Sequence, residues 1–432
     1  MISPMAYQLA GYSYGDKRFW EILPGALVWF TILGGLLLSF IKPTWAIIFI
    51  IVFDVYWLVR ILYFVLLLFV SWRIYKDSLA TDWMARLSTV NKAKDIHHLI
   101  FLPTYKEDIK IVRETLRSLA DAHFPSKRML VVLAGEERDE NNFKHIITRM
   151  KKEFGGTFGA LYDTVHPANI PGDLPGKGSN LNYSARIVQD RLVEDFPDLP
   201  DENIVVSAFD VDTIAHPQYF ACLTYLYCTV ENPTRSSYQP VALFANNIWT
   251  SPGPVRVAAF GTTFWLLSEL IRPERMWTFS SHSMPWVMLK DVGFWQRDIV
   301  SEDSRIFLQA MLEYDGDYRV TPVYLPVSMD TVTGGSYWES VKALYKQQRR
   351  WAYGVEHMPV LIEGFKQNAK IGLRKKMKYI FNHMEGMYTW ATAPLLIFFL
   401  GWLPLEIAGS QGSALVQAAP FTLQRLMQAA MI

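Results

Sequence analysis

The chain has 432 residues, a hydrophobic content of 51% and a formal net charge of +1. Its length exceeds that of one small domain, and its near-neutral charge gives no reason to expect a nucleic acid partner. Cys222 and Cys228 are the two cysteines, so the sequence offers neither a disulfide framework nor the ligand spacing of a zinc site.

Two apolar stretches, residues 24–41 and 45–71, follow an N-terminal segment of residues 1–23. Each spans the ~20 residues that a membrane-crossing helix needs. We therefore predict a two-helix transmembrane hairpin over residues 24–71, broken at Lys42-Pro43.

The second stretch contains two charged residues, Asp54 and Arg60. Charges inside a membrane often mark a polar pathway, but six positions do not put these two on one helix face, and Arg60 could snorkel to the surface. A cleaved signal peptide over residues 17–41 is the rival interpretation of the first stretch. It is weaker, because no small-residue cleavage site follows and a second apolar stretch begins almost at once.

Residues 96–335 alternate short apolar strands with amphipathic helices. The predicted strands are residues 99–102, 129–134, 159–165 and 204–208, and the first predicted helices are residues 109–122 and 141–154. This alternation is typical of an α/β domain with a mostly parallel sheet. Ligands of such sheets bind at the carboxyl ends of the strands, where Thr104 and Asp210 fall.

Residues 251–290 are rich in aromatic residues and methionine. These include Trp265, Trp277, Phe279, Trp286 and Met288. The composition suits a helix at the membrane interface, and it suits a covered aromatic core equally well. Residues 336–380 predict amphipathic helices that end in a basic cluster and rest on the cytoplasmic leaflet.

A third apolar stretch covers residues 388–408 and contains two prolines, which membrane helices tolerate. It opens a C-terminal membrane region, residues 388–432, whose tail after residue 413 is the start of a fourth helix, an interfacial helix or the stump of a longer chain. Basic residues follow the second stretch and precede the third, which predicts a cytoplasmic location for the central region. The sequence therefore predicts a multi-pass protein of the cytoplasmic membrane, with its central domain in the cytoplasm.

Asp210-Val211-Asp212 places two carboxylates directly after the predicted strand at residues 204–208. Oxygen ligands of this kind suit Mg²⁺ or Mn²⁺, with substrate phosphates completing the coordination. An Asp-x-Asp sequence arises often by chance, and we interpret a second one, Asp315-Gly316-Asp317, as a turn. The preceding strand favours the first as the metal site, with Asp212 and Asp210 as ligands.

Glu302 and Asp303 lie between a strand-like stretch at residues 295–300 and a predicted helix at residues 306–313. A carboxylate at the start of a helix commonly caps its backbone amides. The alternative role is a general base that takes a proton from an attacking hydroxyl. The neighbouring motifs favour the base, with Asp303 ahead of Glu302.

Two further runs carry candidate ligand contacts. Residues 347–351, Gln-Gln-Arg-Arg-Trp, offer amides, guanidinium groups that grip phosphate and an indole that stacks on a sugar ring. Alone, this run is a basic and aromatic membrane anchor. Residues 177–182, Lys-Gly-Ser-Asn-Leu-Asn, begin a helix after a loop rich in glycine and proline, and backbone amides at a helix start suit a diphosphate. Alone, this is an ordinary helix start.

In this order the runs resemble the motifs of the membrane-embedded family 2 glycosyltransferases with a GT-A catalytic domain, such as cellulose, chitin and hyaluronan synthases. The resemblance covers residues 98–356 and the flanking spans. The matching residues are Pro103 to Glu107, Lys177 to Asn182, Asp210 and Asp212, Ser301 to Asp303, and Gln347, Arg350 and Trp351. It implies a GT-A fold, that is, a Rossmann-like α/β domain with a mostly parallel sheet, flanked by transmembrane helices.

The resemblance also implies roles for these residues. The implied donor contacts are Thr104, Tyr105, Glu107, Lys177, Asn180 and Asp210. The family usually carries an Asp-Asp pair after the second strand, where this chain has Gly135-Glu136-Glu137, and Glu136 is the candidate replacement. Asp303 would be the base, and Gln347, Arg350 and Trp351 would close over the diphosphate and the acceptor.

The implied reaction is an inverting, metal-dependent transfer from a nucleotide sugar, a UDP-sugar first, to a saccharide acceptor by a processive polysaccharide synthase. Three clear spans are few for a polymer channel. A single transfer to a lipid or other acceptor is therefore the alternative, and an export partner or a homo-oligomer would supply missing helices. A catalytically idle membrane scaffold is the second alternative.

Overall fold

The computed structural model describes residues 14–408 together with Phe421 and Arg425. The chain divides into two compact units: the first contains Val70–Gly354, and the second contains the described residues of Leu9–Phe69 and Val355–Ile432. The predictions for residues 1–13 and for the tail after residue 413 lie outside the described residues. The domain boundaries drawn from the sequence remain predictions.

The first unit is built on one sheet of eight strands in the order β3-β2-β1-β4-β7-β6-β8-β5. The strands are β1 (His97–Pro103), β2 (Met129–Glu136), β3 (Ala160–His166), β4 (Ile204–Ala208), β5 (Ile214–Ala215), β6 (Ser236–Phe244), β7 (His282–Pro285) and β8 (Arg319–Met329). β3, β2, β1 and β4 are parallel, as are β6 and β8. β7 runs antiparallel to its neighbours β4 and β6, and β5 runs antiparallel to β8.

Helices connect these strands and form most of the second unit. The described helices are α1 (Tyr14–Ile41), α2 (Pro43–Leu79), α3 (Trp83–Ser88), α4 (Ile109–Ala120), α5 (Glu140–Phe154), α6 (Lys177–Asp195), α7 (Tyr219–Thr229), α8 (Gly253–Glu269), α9 (Trp286–Asp291), α10 (Glu302–Glu313), α11 (Tyr337–Ala352), α12 (His357–Gln367), α13 (Leu373–Leu395) and α14 (Leu403–Ala408). The predicted class, α/β with a mostly parallel sheet, is confirmed.

Burial explains why the central strands were readable from the sequence. Every residue of β2 and β4 is buried, so each strand is covered on both faces and is almost continuously apolar. The four predicted strands correspond to β1 to β4, and the first two predicted helices correspond to α4 and α5. Asp315-Gly316-Asp317 is a turn, as predicted, with positive φ at Asp315 and Gly316.

The predicted strand at residues 295–300 is wrong, because these residues form bends without strand partners. Gly293 and Phe294 have φ of 75° and 70°, which turns the chain just before this stretch. The apolar Trp295 is buried because its ring packs edge-on against Phe101, at a centroid distance of 6.0 Å. Its burial therefore comes from packing onto the sheet and not from a strand of its own.

For the aromatic region at residues 251–290, the composition suits either a helix at the membrane interface or a covered aromatic core. Trp277, Trp286 and Met288 are buried in the core, whereas α8 exposes several apolar side chains, Phe260 and Phe264 among them. The core interpretation therefore holds for Trp277, Trp286 and Met288, and the membrane-interface interpretation stays a prediction for α8.

The second unit contains α1, most of α2 and the helices after residue 354. Among the described residues, three helical segments are long and apolar enough to cross a membrane: Arg18–Ile41, Pro43–Leu79 and Leu373–Ala408. The break between the first two falls at Lys42, as predicted, and Pro43 begins α2 at a position that needs no amide donor. The third segment begins well before the predicted residue 388. Its first half is helical but polar, so the hydropathy of the sequence does not reveal it.

Candidate active site

The carboxyl ends of β1, β2 and β4 lie side by side, and polar residues that follow these strands meet there. Thr104 directly follows β1, Glu136 ends β2, and Asp210 comes two residues after β4. The parallel register aligns these ends, with Pro103 of β1 opposite Ala134 of β2. The candidate site is therefore at the edge of the sheet where the sequence predicts it.

Lys177, the first residue of α6, joins two predicted site residues. Its Nζ lies 2.8 Å from Asp210 Oδ1 and 3.1 and 3.2 Å from the carboxylate oxygens of Asp303. Burial lowers the pKa of the ammonium, but the two carboxylates outweigh it and raise this pKa well above its usual range. Burial raises the pKa of Asp210, and the Lys177 charge outweighs it, so the net pKa of Asp210 is lowered. The three side chains form one charged cluster.

The segment before β7 supports this cluster. Ser280 Oγ donates to Asp210 Oδ2 at 2.5 Å, and Thr278 Oγ1 donates to the backbone oxygen of Asp303 at 2.5 Å. Ser281, whose Oγ accepts the Asp210 N–H at 3.4 Å, has φ of 60°. A left-handed backbone is costly for a residue other than glycine, and such positions gather at functional sites.

Asp212 lies beyond the turn from Asp210, beside further carboxylates. Its Oδ2 accepts the Asp330 N–H at 2.9 Å, and Asn246 Nδ2 donates to its backbone oxygen at 3.0 Å. Burial and the charges of Asp210 and Asp330 raise the pKa of Asp212 to about 7. Burial and the same two neighbours raise the pKa of Glu107. Negative charge is therefore concentrated at this end of the site.

These carboxylates fit a divalent cation whose coordination a ligand completes. Within the described residues, no group of three or more His, Cys, Asp and Glu side chains is arranged to hold a metal ion. A cation at Asp210 and Asp212 would relieve the repulsion that raises the pKa of Asp212. Mg²⁺ and Mn²⁺ accept one or two carboxylates when substrate phosphates and waters supply the other ligands.

Glu302 and Asp303 share the first turn of α10 but have different surroundings. Glu302 is 6% exposed, and burial together with the Asp303 charge raises its pKa to about 8. Gly178 makes room for it, because a Cβ on Gly178 would lie 2.9 Å from the Glu302 Cβ. The Asp303 side chain is 21% exposed and faces Lys177. Near neutral pH Glu302 is therefore mostly protonated, while Asp303 is open to the site.

Tyr105 and Arg138 form a platform at the end of β2. The Arg138 guanidinium lies 4.6 Å from the centre of the Tyr105 ring, and its Nε donates to Glu136 Oε2 at 2.9 Å. Lys106 also approaches this ring and donates its N–H to Asp139 Oδ2 at 2.7 Å. Glu136 is buried, so its carboxylate is neutralised by Arg138 and not by solvent. The platform offers a flat face and a cation to a ligand.

Thr104 and Asn180 are buried against β2. The Thr104 N–H and the Asn180 Nδ2 both donate to the Ala134 oxygen, at 2.8 and 2.7 Å. Thr104 Oγ1 donates to the Leu102 oxygen, and Asn180 Oδ1 accepts from Ser184 Oγ. These bonds occupy both side chains, which favours a role in holding the strand ends over direct contact with a ligand.

α11 carries Gln347, Arg350 and Trp351. The Trp351 ring lies 6.4 Å from that of Phe244 at the end of β6, and Gln347 and Trp351 line a cleft beside α8. The Arg350 charge contributes to the lowered pKa of Asp210, so its guanidinium lies within electrostatic range of the charged cluster. Arg350 thus acts on the cluster, whereas Gln347 and Trp351 belong to the cleft.

Four residues of the site were not predicted from the sequence: Arg138, Ser280, His282 and Asp330. Asp330 directly follows β8, the pattern that identified Asp210, so it had a usable signal. The other three had none: β7 is four residues long and rich in serine and histidine, and Arg138 sits in a charged turn. His282 Nδ1 lies 3.9 Å from Asp303 Oδ1, and burial lowers its pKa to about 4, so it is neutral at pH 7.

Comparisons with known proteins concern both the sequence and the fold. A family model described as "Glycosyl transferase family group 2" matches residues 205–423, just over half of the chain. No curated protein matches the sequence.

Two solved structures illustrate the likeness in fold. The mannosyltransferase PcManGT from Pyrobaculum calidifontis, in complex with GDP-Man and Mn²⁺, is 15% identical with a TM-score of 0.48, over 88% of this chain and 97% of that chain. S. aureus TarS 1–349 in complex with UDP is 11% identical with a TM-score of 0.41, over 78% of this chain and 90% of that chain.

Proposed function

We propose that this chain, a glycosyltransferase that belongs to glycosyl transferase family group 2, moves a sugar from a nucleotide-sugar donor to an acceptor hydroxyl with inversion at the anomeric carbon. The observation that carries the proposal is the position of Lys177 between Asp210 and Asp303. One ammonium there can stabilise a departing diphosphate while it borders the carboxylate that receives a proton.

Asp303 is the proposed general base. It is partly exposed and adjacent to Lys177, whereas Glu302 is buried and carries a proton near neutral pH because its pKa is about 8. A protonated carboxyl cannot accept the hydroxyl proton, so Asp303 is favoured over Glu302 as the base. Thr278 donates its hydroxyl to the Asp303 backbone oxygen and holds this turn of α10 in place.

Lys177 and Arg350 are the proposed partners of the leaving diphosphate. Both are cations whose charge acts on Asp210, so they converge on one region of the site. Asp212 and Asp210 would hold Mg²⁺ or Mn²⁺, and such an ion would supply positive charge to the phosphates. The raised pKa of Asp212 supports this assignment, because burial and the neighbouring Asp210 charge both disfavour its ionised form, and a bound cation would offset them.

Tyr105, Arg138 and Glu136 are the proposed nucleobase site. A base can stack on the Tyr105 ring, and the Glu136-Arg138 pair stands where the resembling family has two aspartates. The pair combines an acceptor with a fork of donors. It therefore suits a base that presents an N–H beside a carbonyl, such as the uracil of a UDP-sugar.

Trp351 and Gln347 are the proposed acceptor contacts, since an indole stacks on a sugar ring and an amide bonds its hydroxyls. Processive polysaccharide synthesis, favoured by the resemblance, and a single transfer to a lipid remain the two proposals for the product. The three membrane-compatible helices support a membrane-bound enzyme, and the flanking basic residues support a cytoplasmic catalytic face.

The test is turnover by the purified chain in lipid vesicles with a panel of nucleotide sugars and Mg²⁺ or Mn²⁺. We expect nucleotide release and sugar transfer with one donor, and we expect Asp303→Asn to abolish transfer while donor affinity changes little. Asp298→Asn is the matched control, because Asp298 is a nearby carboxylate that bonds Gln296 outside the cluster.

Near-normal turnover by Asp303→Asn would contradict the assignment of Asp303 as the general base. Failure of the wild-type chain to bind or turn over any donor would favour the idle scaffold.

A further inference from the structure

A cavity of about 110 Å³ lies at the amino end of β4, at the opposite edge of the sheet from the candidate active site. Leu192 of α6, Ile204 of β4 and Trp286 of α9 line it and are 5% exposed or less, so they form its floor. Val193, also in the lining, is 68% exposed, so the cavity opens to the surface. A water molecule takes roughly 30 Å³. The cavity therefore has room for about four heavy atoms, the size of a leucine side chain.

The lining of the cavity is mostly apolar. The remaining lining residues are Gln189, Phe196, Pro197, Leu199, Asp201 and Lys290. Lys290 Nζ lies 2.5 Å from Asp201 Oδ2, so these two charges satisfy each other at the rim. Apolar walls give few partners to a sugar, a phosphate or a metal ion. The lining therefore suits one apolar side chain.

The segment that forms most of the cavity is strongly acidic. Residues 189–204 contain six carboxylates, which are Asp190, Glu194, Asp195, Asp198, Asp201 and Glu202. Each of them lines the cavity or is next in sequence to a residue that does, and all except Asp201 are exposed. The cations here are Arg191 and Lys290, so negative charges exceed positive ones by four. Because the whole chain has a net charge of +1, this excess is local.

The combination of an apolar cavity and an acidic rim selects its ligand. A fatty acid or an anionic lipid would fit the apolar walls, but the rim would repel its headgroup. A protein segment with one leucine among lysines and arginines meets both requirements, since a single apolar anchor in a pocket provides affinity and complementary charges provide specificity.

The cavity and the candidate active site lie at opposite ends of the same two elements. Lys177 begins α6, and Leu192 lies fifteen residues later, roughly 22 Å along the helix axis. Ile204 begins β4, and Asp210 lies beyond the other end of this strand, which spans roughly 17 Å. A ligand in the cavity would therefore leave the active site open.

We propose that this cavity is the docking site for a basic segment of another protein, whose leucine-sized side chain fills the cavity while its lysines and arginines pair with the acidic rim. The proposal goes beyond the proposed glycosyl transfer and does not depend on it, because docking requires neither a donor nor a metal ion. It assigns recognition of a partner to the edge of the sheet that the reaction does not use.

The first experiment uses the probe peptide Lys-Lys-photoleucine-Lys-Lys, whose central side chain carries a diazirine. The full chain is held in nanodiscs of phosphatidylcholine, whose zwitterionic surface does not attract the peptide. After irradiation, we expect peptide mass spectrometry to find adducts at Leu192, Phe196 and Trp286. Adducts at other residues only, or no adducts at millimolar peptide, would overturn the proposal.

Matched peptides separate the two requirements of the site. Calorimetric titration should give a Kd for Lys-Lys-Ala-Lys-Lys at least roughly tenfold higher than for Lys-Lys-Leu-Lys-Lys, because three buried carbon atoms are lost. The peptide Glu-Glu-Leu-Glu-Glu should not bind, because the rim repels it. Equal affinity of the alanine and leucine peptides would show that the cavity is not used, and would overturn the proposal.

Variants of the chain test the cavity and the rim separately. Val193→Trp should cover the opening and remove the adduct at Trp286, whereas Val257→Trp, at an equally exposed valine of α8, should leave it unchanged. Glu194→Lys should raise the Kd of the leucine peptide about three- to tenfold. The control Glu140→Lys changes an exposed glutamate that pairs with Lys144 on α5, and it should have little effect. Unchanged labelling and affinity in Val193→Trp and Glu194→Lys would contradict the proposal.

Two further outcomes would assign the cavity to a different occupant. Equal labelling of the cavity by Ser-Ser-photoleucine-Ser-Ser would show that it accepts any apolar group, which overturns the basic partner. A carbodiimide cross-link between a rim carboxylate and a lysine of a second copy of this chain would assign the site to self-association, and would also overturn it. Nucleotide release with a sugar donor is measured separately, so failure of the proposed glycosyl transfer leaves these results unaffected.

Discussion

Lys177 allows two carboxylates to share one small volume. Its ammonium lies within hydrogen-bonding distance of both Asp210 and Asp303, so it lowers the electrostatic cost of placing them together. The diphosphate of a donor would compete for the same ammonium. Arrival of a donor would then weaken the contact of Lys177 with Asp303 and free this carboxylate to meet the acceptor hydroxyl.

Arg138 should control donor affinity more than the chemical step. Arg138→Ala removes the cation above Tyr105 and leaves the buried Glu136 unpaired. We expect the Kd for the donor nucleotide to rise roughly tenfold, because a cation–π contact and a buried charge pair are both lost, while kcat changes little. Calorimetric titration of UDP would measure this.

The matched control for Arg138 is Arg117→Ala, whose guanidinium pairs with Glu153 outside the site. If wild type and Arg138→Ala bind every nucleotide tested with equal affinity, the assignment of Arg138 to the donor site is wrong.

Because Glu302 is buried, we expect it to make the unfolding free energy of the chain depend on pH. Its pKa is raised from 4.5 to about 8 in the folded chain, so the folded state retains a proton that the unfolded state releases. This contribution is fully present below about pH 4.5 and is lost as the pH rises through about 8. Glu302→Gln cannot ionise. Relative to wild type it should therefore gain on the order of 2–4 kcal/mol in unfolding free energy between pH 5 and pH 8.5.

The difference between the unfolding curves of wild type and Glu302→Gln across that pH range measures the contribution of Glu302, since other titrating groups are common to both. A difference that does not change with pH would show that Glu302 titrates normally.

Strands that form short apolar runs could be predicted from the sequence, and strands that depend on distant partners could not. β1, β2 and β4 are such runs, and β4 coincides with the predicted residues 204–208. β7 pairs antiparallel with β4 across more than seventy residues of sequence and contains His282 and Ser283, so no local period indicates it. The residues of the site divide in the same way. Asp210 and Lys177 could be predicted from local sequence patterns, whereas Ser280 and His282 could not, because they lie beside or within β7.

The start of α6 is held against α10 by a close approach that only glycine allows. A Cβ on Gly178 would lie 2.9 Å from the Glu302 Cβ and 3.0 Å from the Gln296 oxygen. We expect Gly178→Ala to cost about 1–3 kcal/mol of stability through overpacking. We also expect kcat to fall roughly ten- to a hundredfold, because Lys177 would move relative to Asp303. Thermal unfolding and steady-state kinetics would measure the two effects.

Gly261→Ala is the control for this substitution. It also lies within a helix, but an added Cβ would meet nothing within 4 Å. It should keep normal activity and be neutral or slightly stabilising. Equal behaviour of the two variants would mean that α6 and α10 accommodate the extra methyl.

At the scale of the whole chain, hydropathy identified the three membrane-compatible segments but not the extent of the third. α13 begins at Leu373 with a basic half, and its apolar half follows only later. A window of hydropathy detects the apolar half alone, which is why residue 388 was the predicted start. The contacts of the polar half were also unpredictable, because they join residues more than three hundred positions apart, such as Tyr56 and Glu385.

Arg60 and Glu385 form an ion pair between α2 and α13, and Tyr56 donates its hydroxyl to the same carboxylate at 2.5 Å. The charge that the sequence offered as part of a polar pathway therefore has a partner. Removing one member leaves a charge unpaired in a region of low dielectric, so Arg60→Met should destabilise the chain by about 3–5 kcal/mol. The double variant Arg60→Met/Glu385→Gln should recover most of this loss, because neither charge remains.

Thermal unfolding in lipid nanodiscs would measure these changes in stability. Arg18→Met is the control that should change little, because its partner Glu21 lies one turn away at an exposed position. If the two single substitutions instead add in the double variant, the ion pair contributes nothing, and the two charges act separately in the membrane.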